Sequence, residues 1–396
     1  MKWANYSAAK SKSCLPLEVT SPLNIPLSGW ADDQLNAIAA LAESREIAAL
    51  SGAKLLAERA MLGGYKIPGR VSAGGGCRLF EARKGHIALN LSRREDRNSM
   101  PALFGDASVN GDDDEAVAER VLRHEAMALI RRGRELGLAI AAMDECRAKG
   151  LARSCLGGSP ANERVQSQAK LLPKNRPPLV IDLSALWAGP LASRLLHMAG
   201  AQVIKIESRN RPDAMRDGNP AFFARLNQGK EHIALDLRDA TDHNTLIMLI
   251  RRAQIVIEAA RPRALLQLGI DADALVREVP GLVWASITAH GVAGEAANWV
   301  GFGDDCGVAG GLSAALFETT GAVGFVGDAI ADPLTGIFAA RKITEQCTAG
   351  RGARLVLSMS DVVADALSAE RTRDEAALNH SLAQWASSER QAFPSC

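Results

Sequence analysis

The chain has 396 residues, 47% hydrophobic and 23% charged, with a formal net charge of +1. That length accommodates two or more domains and a large core, and near-neutrality removes any electrostatic case for nucleic acid or a membrane surface as partner. No apolar run approaches the ~20 residues of a spanning helix, the opening MKWANYSAAKSKSC has no signal-peptide core, and seven cysteines without CxxC indicate neither a disulfide framework nor a zinc site. A cytoplasmic protein with no bound metal is the expectation.

Residues 1–30 carry little pattern and read as a leader. Ala31–Leu62 is helical in period, ended by Gly63-Gly64. The loop Ser72–Cys77 contains Gly74, Gly75 and Gly76. It reads either as a connector or as backbone that closes over a ligand, since glycine lets amides approach closely. Arg78–Ala82 and His86–Leu91, joined by Arg83-Lys84-Gly85, read as a hairpin. Residues 106–114 are an acidic loop, Glu115–Leu136 a helix and Leu138–Ala142 a short apolar run. Residues 150–177 have linker composition. The expected small domain is α+β with a helical leader and spans residues 1–170.

From Pro178 onward strand and helix alternate. Leu179–Leu183, a helix from Leu191 to Ala199 and Val203–Glu207 form a strand–helix–strand unit, which implies a parallel pair with a right-handed crossover. Strands at His232–Leu237, Ile255–Glu258 and Leu282–Thr288 follow, with helices at 239–253 and Asp271–Val279. This is the signature of a doubly wound, Rossmann-like α/β sheet, assigned to a large domain over 171–396 with a helical tail from 368. HIALNL (86–91) and HIALDL (232–237) are near-copies, but their flanks do not repeat.

No GxGxxG follows the first strand, and GxxxxGK[ST], HExxH and GxSxG are absent. Dinucleotide binding, P-loop chemistry, zinc proteolysis and the nucleophile elbow are disfavoured. The best isolated candidate is Asp332 in IADPLTG. Asp before Pro and an apolar helix is a good helix N-cap. The same position stabilises an ionised carboxylate that can act as a nucleophile. Arg209, Arg211, Arg216 and Lys230 lie near predicted strand ends, either as phosphate ligands or as a solvated rim.

Together, VIDLSALWAGPLASRLLHMAGAQVIKIES, FFARLNQGKEHIALDL, IVIEAARPRALLQLGI, LVWASITAHG, IADPLTGIFAA and GRGARLVLSMSDVVADAL resemble the family III CoA-transferases, in order and near spacing, over about 178–367. The resemblance implies acyl-CoA:carboxylate CoA transfer with Asp332 as nucleophile, through a mixed anhydride and an aspartyl-CoA thioester. It implies CoA contacts at Trp187, Ala188, Arg209, Asn227, Gln228, Gly229, Lys230, Ala259, Ala260 and Arg261. Coenzyme A or acyl-CoA is then a substrate, with no permanently bound cofactor. Trp187 stands where formyl-CoA transferases have a polar residue, which suggests an apolar acyl group.

Two departures matter. The related racemases carry a His in a Gly-His-Asp element; here Gly301-Phe302-Gly303-Asp304 stands there, and Phe302 moves no proton, so racemase activity is disfavoured. The transferases often place a carboxylate where Gly303 stands, and Asp304 is the alternative if the register shifts by one. The domain order is also permuted. AGGGCRLFEARKGHIALNLSRRED resembles the start of the family's small domain, yet it comes first, and Gly74–Gly76 matches the mobile loop that covers the aspartyl intermediate. A homodimer is implied, with its interlocked form an open question for a permuted chain. The rival reading is a degenerate CoA-binding scaffold.

Overall fold

The computed structural model describes residues 24–145, 161–167, 177–261 and 263–394. The boundary expected near residue 170, most of the leader and most of the 150–177 linker lie outside them. Three helices come first: α1 (Ser28–Ala42), α2 (Arg45–Ala48) and α3 (Gly52–Gly63). The single helix expected over 31–62 is therefore broken. Glu43 adopts a left-handed conformation, and Ser44 caps α2 by accepting from the Ile47 N–H. Serine's competing backbone bonds favour such restarts.

The hairpin forms as read, β1 (Cys77–Glu81) with β2 (His86–Asn90). Then come α4 (Arg94–Asn98), α5 (Met100–Phe104), α6 (Asp114–Val121), α7 (Ala126–Glu135) and β3 (Ile140–Ala142). The helix expected over 115–136 is two, separated by a turn at residues 122–125. The strands form a sheet in the order β1-β2-β3. Alternation along the strands decides its packing. Phe80, Ile87, Leu89, Ile140 and Ala142 meet α5–α7 in one core. Cys77, Leu79, Ala88 and Ala141 face the opposite way and join Val308, Ala309, Ala314 and Phe325.

A strand inside the supposed linker, β4 (Ala161–Ser167), is the first strand of the large sheet in chain order. The large sheet then runs β5 (Leu179–Asp182), α8 (Ala188–Met198), β6 (Gln202–Ser208), α9 (Met215–Gly218), α10 (Pro220–Asn227), β7 (Glu231–Leu235), α11 (Ala240–Arg252), β8 (Ile255–Glu258), α12 (Ala264–Gln267), α13 (Ala272–Glu278) and β9 (Val283–Thr288). After a 3-10 turn come α14 (Gly303–Ala309), α15 (Leu312–Thr320), α16 (Ala331–Thr348), β10 (Gly352–Ser358) and α17 (Met359–Ser387). The order is β4-β10-β9-β8-β5-β6-β7, with β4 antiparallel to β10 and the other pairs parallel. The six parallel strands thus follow the doubly wound 3-2-1-4-5-6 order, whose direction reverses between β5 and β8.

Both faces of this sheet are covered, as a parallel sheet requires. Val180, Ile255, Val283 and Leu355 pack under α1, α3, α8, α16 and α17. Ile181, Ile204, Val256 and Trp284 pack under α11 and α13. The C-terminal segment read as a helical tail continues α17 across a kink at Asp374. Leu378, Leu382 and Trp385 are buried in this chain's own core, and the Trp385 indole N–H donates to the Phe325 carbonyl. Among the described residues, no helix is long and apolar enough to cross a membrane.

Candidate active site

Asp332 is half-buried in the first turn of α16. It is not the helix cap. Ile330 occupies that position, because Ala329 turns the chain at φ 42° and the helix starts two residues early. Pro333 follows without penalty, since first-turn residues need no intrahelical N–H partner. The carboxylate is thereby released to face its neighbours. The backbone N–H of Ala188, the first residue of α8, lies toward it and draws its proton affinity down. On another side it abuts Gly303, the first residue of α14: a Cβ there would stand 2.2 Å from Asp332 Oδ2 and 2.3 Å from the Ala329 carbonyl oxygen. Gly336 lets α16 approach this closely, since a Cβ there would lie 2.6 Å from the Ala188 carbonyl.

Three further carboxylates crowd this point. Asp328 is completely buried and paired in a fork with Arg59 of α3, Nε to Oδ2 at 2.8 Å and Nη2 to Oδ1 at 2.5 Å. Asp304 accepts the Ala329 N–H at 3.0 Å, and the Ser72 hydroxyl beside it draws its proton affinity down. Asp305 accepts the Phe302 N–H at 3.0 Å. Burial and mutual repulsion push Asp304 up to about 6, Asp332 to about 7 and Asp305 to about 8. Arg59 opposes the rise at Asp304 and Asp332. Its guanidinium also lies over the Trp187 ring, 5.0 Å from the centroid. Two non-glycine residues hold left-handed backbone beside the site, Leu186 at φ 66° and Ala329. Such strain collects where function over-determines the backbone.

The family model described as CoA-transferase family III matches residues 178–394. The chain belongs to this family. It is 29% identical over 212 residues to the succinate–glutarate CoA-transferase of Agrobacterium fabrum, covering 48% of this chain and 53% of that one. It is 30% identical over 194 residues to the acetyl-CoA:oxalate CoA-transferase of Acetobacter aceti, covering 46% and 50%. A solved hypothetical protein of Mycobacterium tuberculosis superposes with TM-score 0.45 at 24% identity, covering 54% of this chain and 60% of that one. The chain spans about half the length of the curated relatives it matches.

Within this family III chain the expected site residues fall into groups. Ala188 presents its N–H toward Asp332. Trp187 is buried, edge-on to Phe222 at 4.9 Å, and its indole N–H has no hydrogen-bond partner among the described residues. Gly74, of the glycine loop Gly74–Gly76, lies against Arg59, with a Cβ position 3.5 Å from Nη2. Ala259, Ala260 and Arg261 follow β8, beside β5 at the reversal of strand order.

The remaining expected residues lie elsewhere. Arg209 is exposed at the end of β6, with Nη2 3.2 Å from Asp242 and Nε bonded to the Ala234 carbonyl. Asn227 and the exposed Gln228 line an open groove of about 540 Å³, with Phe223 and His232. Gly229 holds φ +83° with His197 above it. Lys230 is turned inward, where Nζ meets Asp182, Pro190, Ser193 and Asn227 oxygens at 2.7–3.2 Å. Burial draws this ammonium down to about 8.

Sequence reasoning missed Arg59 and Asp328. The available signal was Asp328 itself, an acid inside the apolar stretch Phe325–Ala331. A buried charge demands a partner, but nothing in the spacing pointed to a residue 269 positions away.

Proposed function

We propose that this chain is an acyl-CoA:carboxylate CoA-transferase with Asp332 as its covalent nucleophile. The observation that carries the reading is the setting of Asp332: a carboxylate backed by the Ala188 N–H and by the bare backbone of Gly303, with its affinity for a proton raised. A more basic carboxylate is a better nucleophile once ionised, and at about 7 a large share is ionised at neutral pH.

In the proposed cycle an Asp332 oxygen attacks the thioester carbonyl of the donor acyl-CoA. The C–S bond breaks, giving a mixed anhydride and CoA thiolate. The thiolate attacks the aspartyl carbonyl, the donor leaves as its carboxylate, and Asp332 carries CoA as a thioester. The acceptor carboxylate attacks that thioester, forming a second anhydride and releasing thiolate again. Attack on the acceptor acyl carbon yields the new acyl-CoA and restores Asp332. No proton needs to be gained or lost overall. Each tetrahedral intermediate places negative charge near the Ala188 N–H, and fixed donors of that kind stabilise developing oxyanions.

In this reading Arg59 offsets the charge of the carboxylate cluster, and the Gly74–Gly76 loop closes over the aspartyl intermediate. That residues 59 and 74 come to the site from outside the matched stretch supports a permuted order of a small domain before a large one. The exposed residues Arg209, Gln228 and Arg261 are proposed contacts for the nucleotide end of CoA. A homodimer is part of the proposal. The names of the relatives suggest trying succinyl, glutaryl, acetyl and oxalyl groups as donors and acceptors, beside the apolar acyl groups that Trp187 suggests.

The test is isotope exchange. Purified protein is incubated with an acyl-CoA and its labelled free acid, one pair at a time. Label moving into the thioester, in wild type and not in Asp332→Asn, supports transfer. CoA binding without exchange for any pair makes the chain a binding protein.

A further inference from the structure

A second cluster of donor groups adjoins the carboxylates above and shares Asp305 with them. His290 follows β9, while Asp305 and Cys306 sit in the first turn of α14. One donor atom from each lies within 4.8 Å of the other two. We propose that His290, Asp305 and Cys306 bind a divalent cation of the zinc class.

The donor set suits such an ion. Imidazole nitrogen, carboxylate oxygen and thiolate sulfur are the ligand types of zinc, and three protein ligands with an open fourth position make an ordinary site. Asp305 supplies the independent observation. It is completely buried, Oδ1 accepts the Phe302 N–H, and Oδ2 has no hydrogen-bond partner among the described residues. A buried carboxylate oxygen without a partner is costly, and a cation would satisfy it. Gly301 keeps the space open: a Cβ there would stand 2.8 Å from both Asp305 Oδ2 and Cys306 Sγ.

The other groups nearby are consistent with occupancy. Cys306 Sγ donates weakly to the Ala289 carbonyl at 3.6 Å, a bond that deprotonation would release. His290 Nδ1 meets Ser360 Oγ at 3.2 Å, the kind of outer hydrogen bond that orients a ligating imidazole. His290 is half-buried and gives a route from solvent. The nearby cation Arg134 is tied to Glu145 at 2.7 and 2.8 Å, so its charge is already matched. None of the three ligands takes part in thioester exchange. A bound ion would pin the turn that presents Gly303 to Asp332.

The test is cobalt titration of the full-length, reduced, chelator-treated protein, read by absorption. The expected result is a thiolate-to-cobalt charge-transfer band with tetrahedral d–d bands, saturating at one equivalent. Cys306→Ser should abolish the charge-transfer band, and His290→Ala should weaken binding at least tenfold, with unchanged circular dichroism. His290→Ala, in a half-buried loop, keeps the test decisive if Cys306→Ser fails to fold. No band in wild type, or a band that survives at full strength in the folded variants, overturns the proposal. Because the readout is spectroscopic, it is independent of whether the chain transfers CoA.

Discussion

Gly303 and Asp332 are so close that a single methyl group on Gly303 would overlap the Asp332 carboxylate, at 2.2 Å from Oδ2. The Asp332 carboxylate has room where it stands only because the first residue of α14 has no side chain. Gly303→Ala should therefore displace Asp332 or the Ala329 turn. We expect exchange activity to fall at least 100-fold, with a stability loss of about 1–3 kcal/mol from overpacking. Steady-state exchange rates and denaturant midpoints check both. Full activity in Gly303→Ala would mean that the carboxylate works from another position.

The acid limb of the rate profile follows from Asp332. Burial, with Asp304 and Asp328 nearby, raises its proton affinity; Arg59 and the Ala188 N–H lower it, leaving it at about 7. In the proposed mechanism Asp332 attacks as the anion, so kcat/KM should rise with pH through about 7 and be about tenfold below its plateau one unit lower. Arg59→Met, where it folds, should move this limb to higher pH.

Stability should show the opposite trend for the same cluster. Asp304, Asp332 and Asp305 hold protons more tightly in the fold than in an open chain, at about 6, 7 and 8. The folded state binds more protons, so this contribution to stability falls as pH rises from about 4 to about 8. Asp305→Asn keeps an oxygen for the Phe302 N–H but cannot ionise. In chelator, it should stabilise the protein by about 1–3 kcal/mol at pH 8 and by little at pH 5. Thermal melts at the two pH values decide the point.

Arg59 and Asp328 form a fork-shaped pair with Asp328 completely buried. Arg59→Met alone leaves that charge without its partner and should cost about 3–5 kcal/mol. Adding Asp328→Asn should recover part of the loss, which a double-mutant cycle measures.

Two of the expected CoA contacts should separate on substitution. Arg209 is exposed and able to swing away from Asp242, so Arg209→Ala should raise KM for acyl-CoA several-fold and leave kcat and melting unchanged. Lys230 is locked among Asp182, Ser193, Asn227 and the Pro190 carbonyl. Lys230→Met should lower stability by about 3 kcal/mol.

The sheet was readable because its signals are local. Apolar β-rich runs such as Val203–Glu207 and glycine stops such as Gly200 act within a few residues. Asp332 stood out for the same reason, through the helix start that follows it. The reading erred where a helix restarts at a polar residue, as at Ser44, and where an edge strand sits in polar sequence, as at Ala161–Ser167. Arg59 sits inside a stretch of helical period, and nothing local marks it. Its partner lies far along the chain, and periodicity carries no information about such a pairing. The inward turn of Lys230 escaped for the same reason, since a lysine before a strand looks alike whether it meets solvent or Asp182.

The most direct test of the central claim is trapping of the aspartyl intermediate. Intact and peptide mass are measured after incubation with an acyl-CoA and hydroxylamine, for wild type and Asp332→Ala. The account predicts one hydroxamate, on the peptide containing Asp332, in wild type alone. Turnover without a hydroxamate at Asp332, or the same adduct in Asp332→Ala, would contradict it.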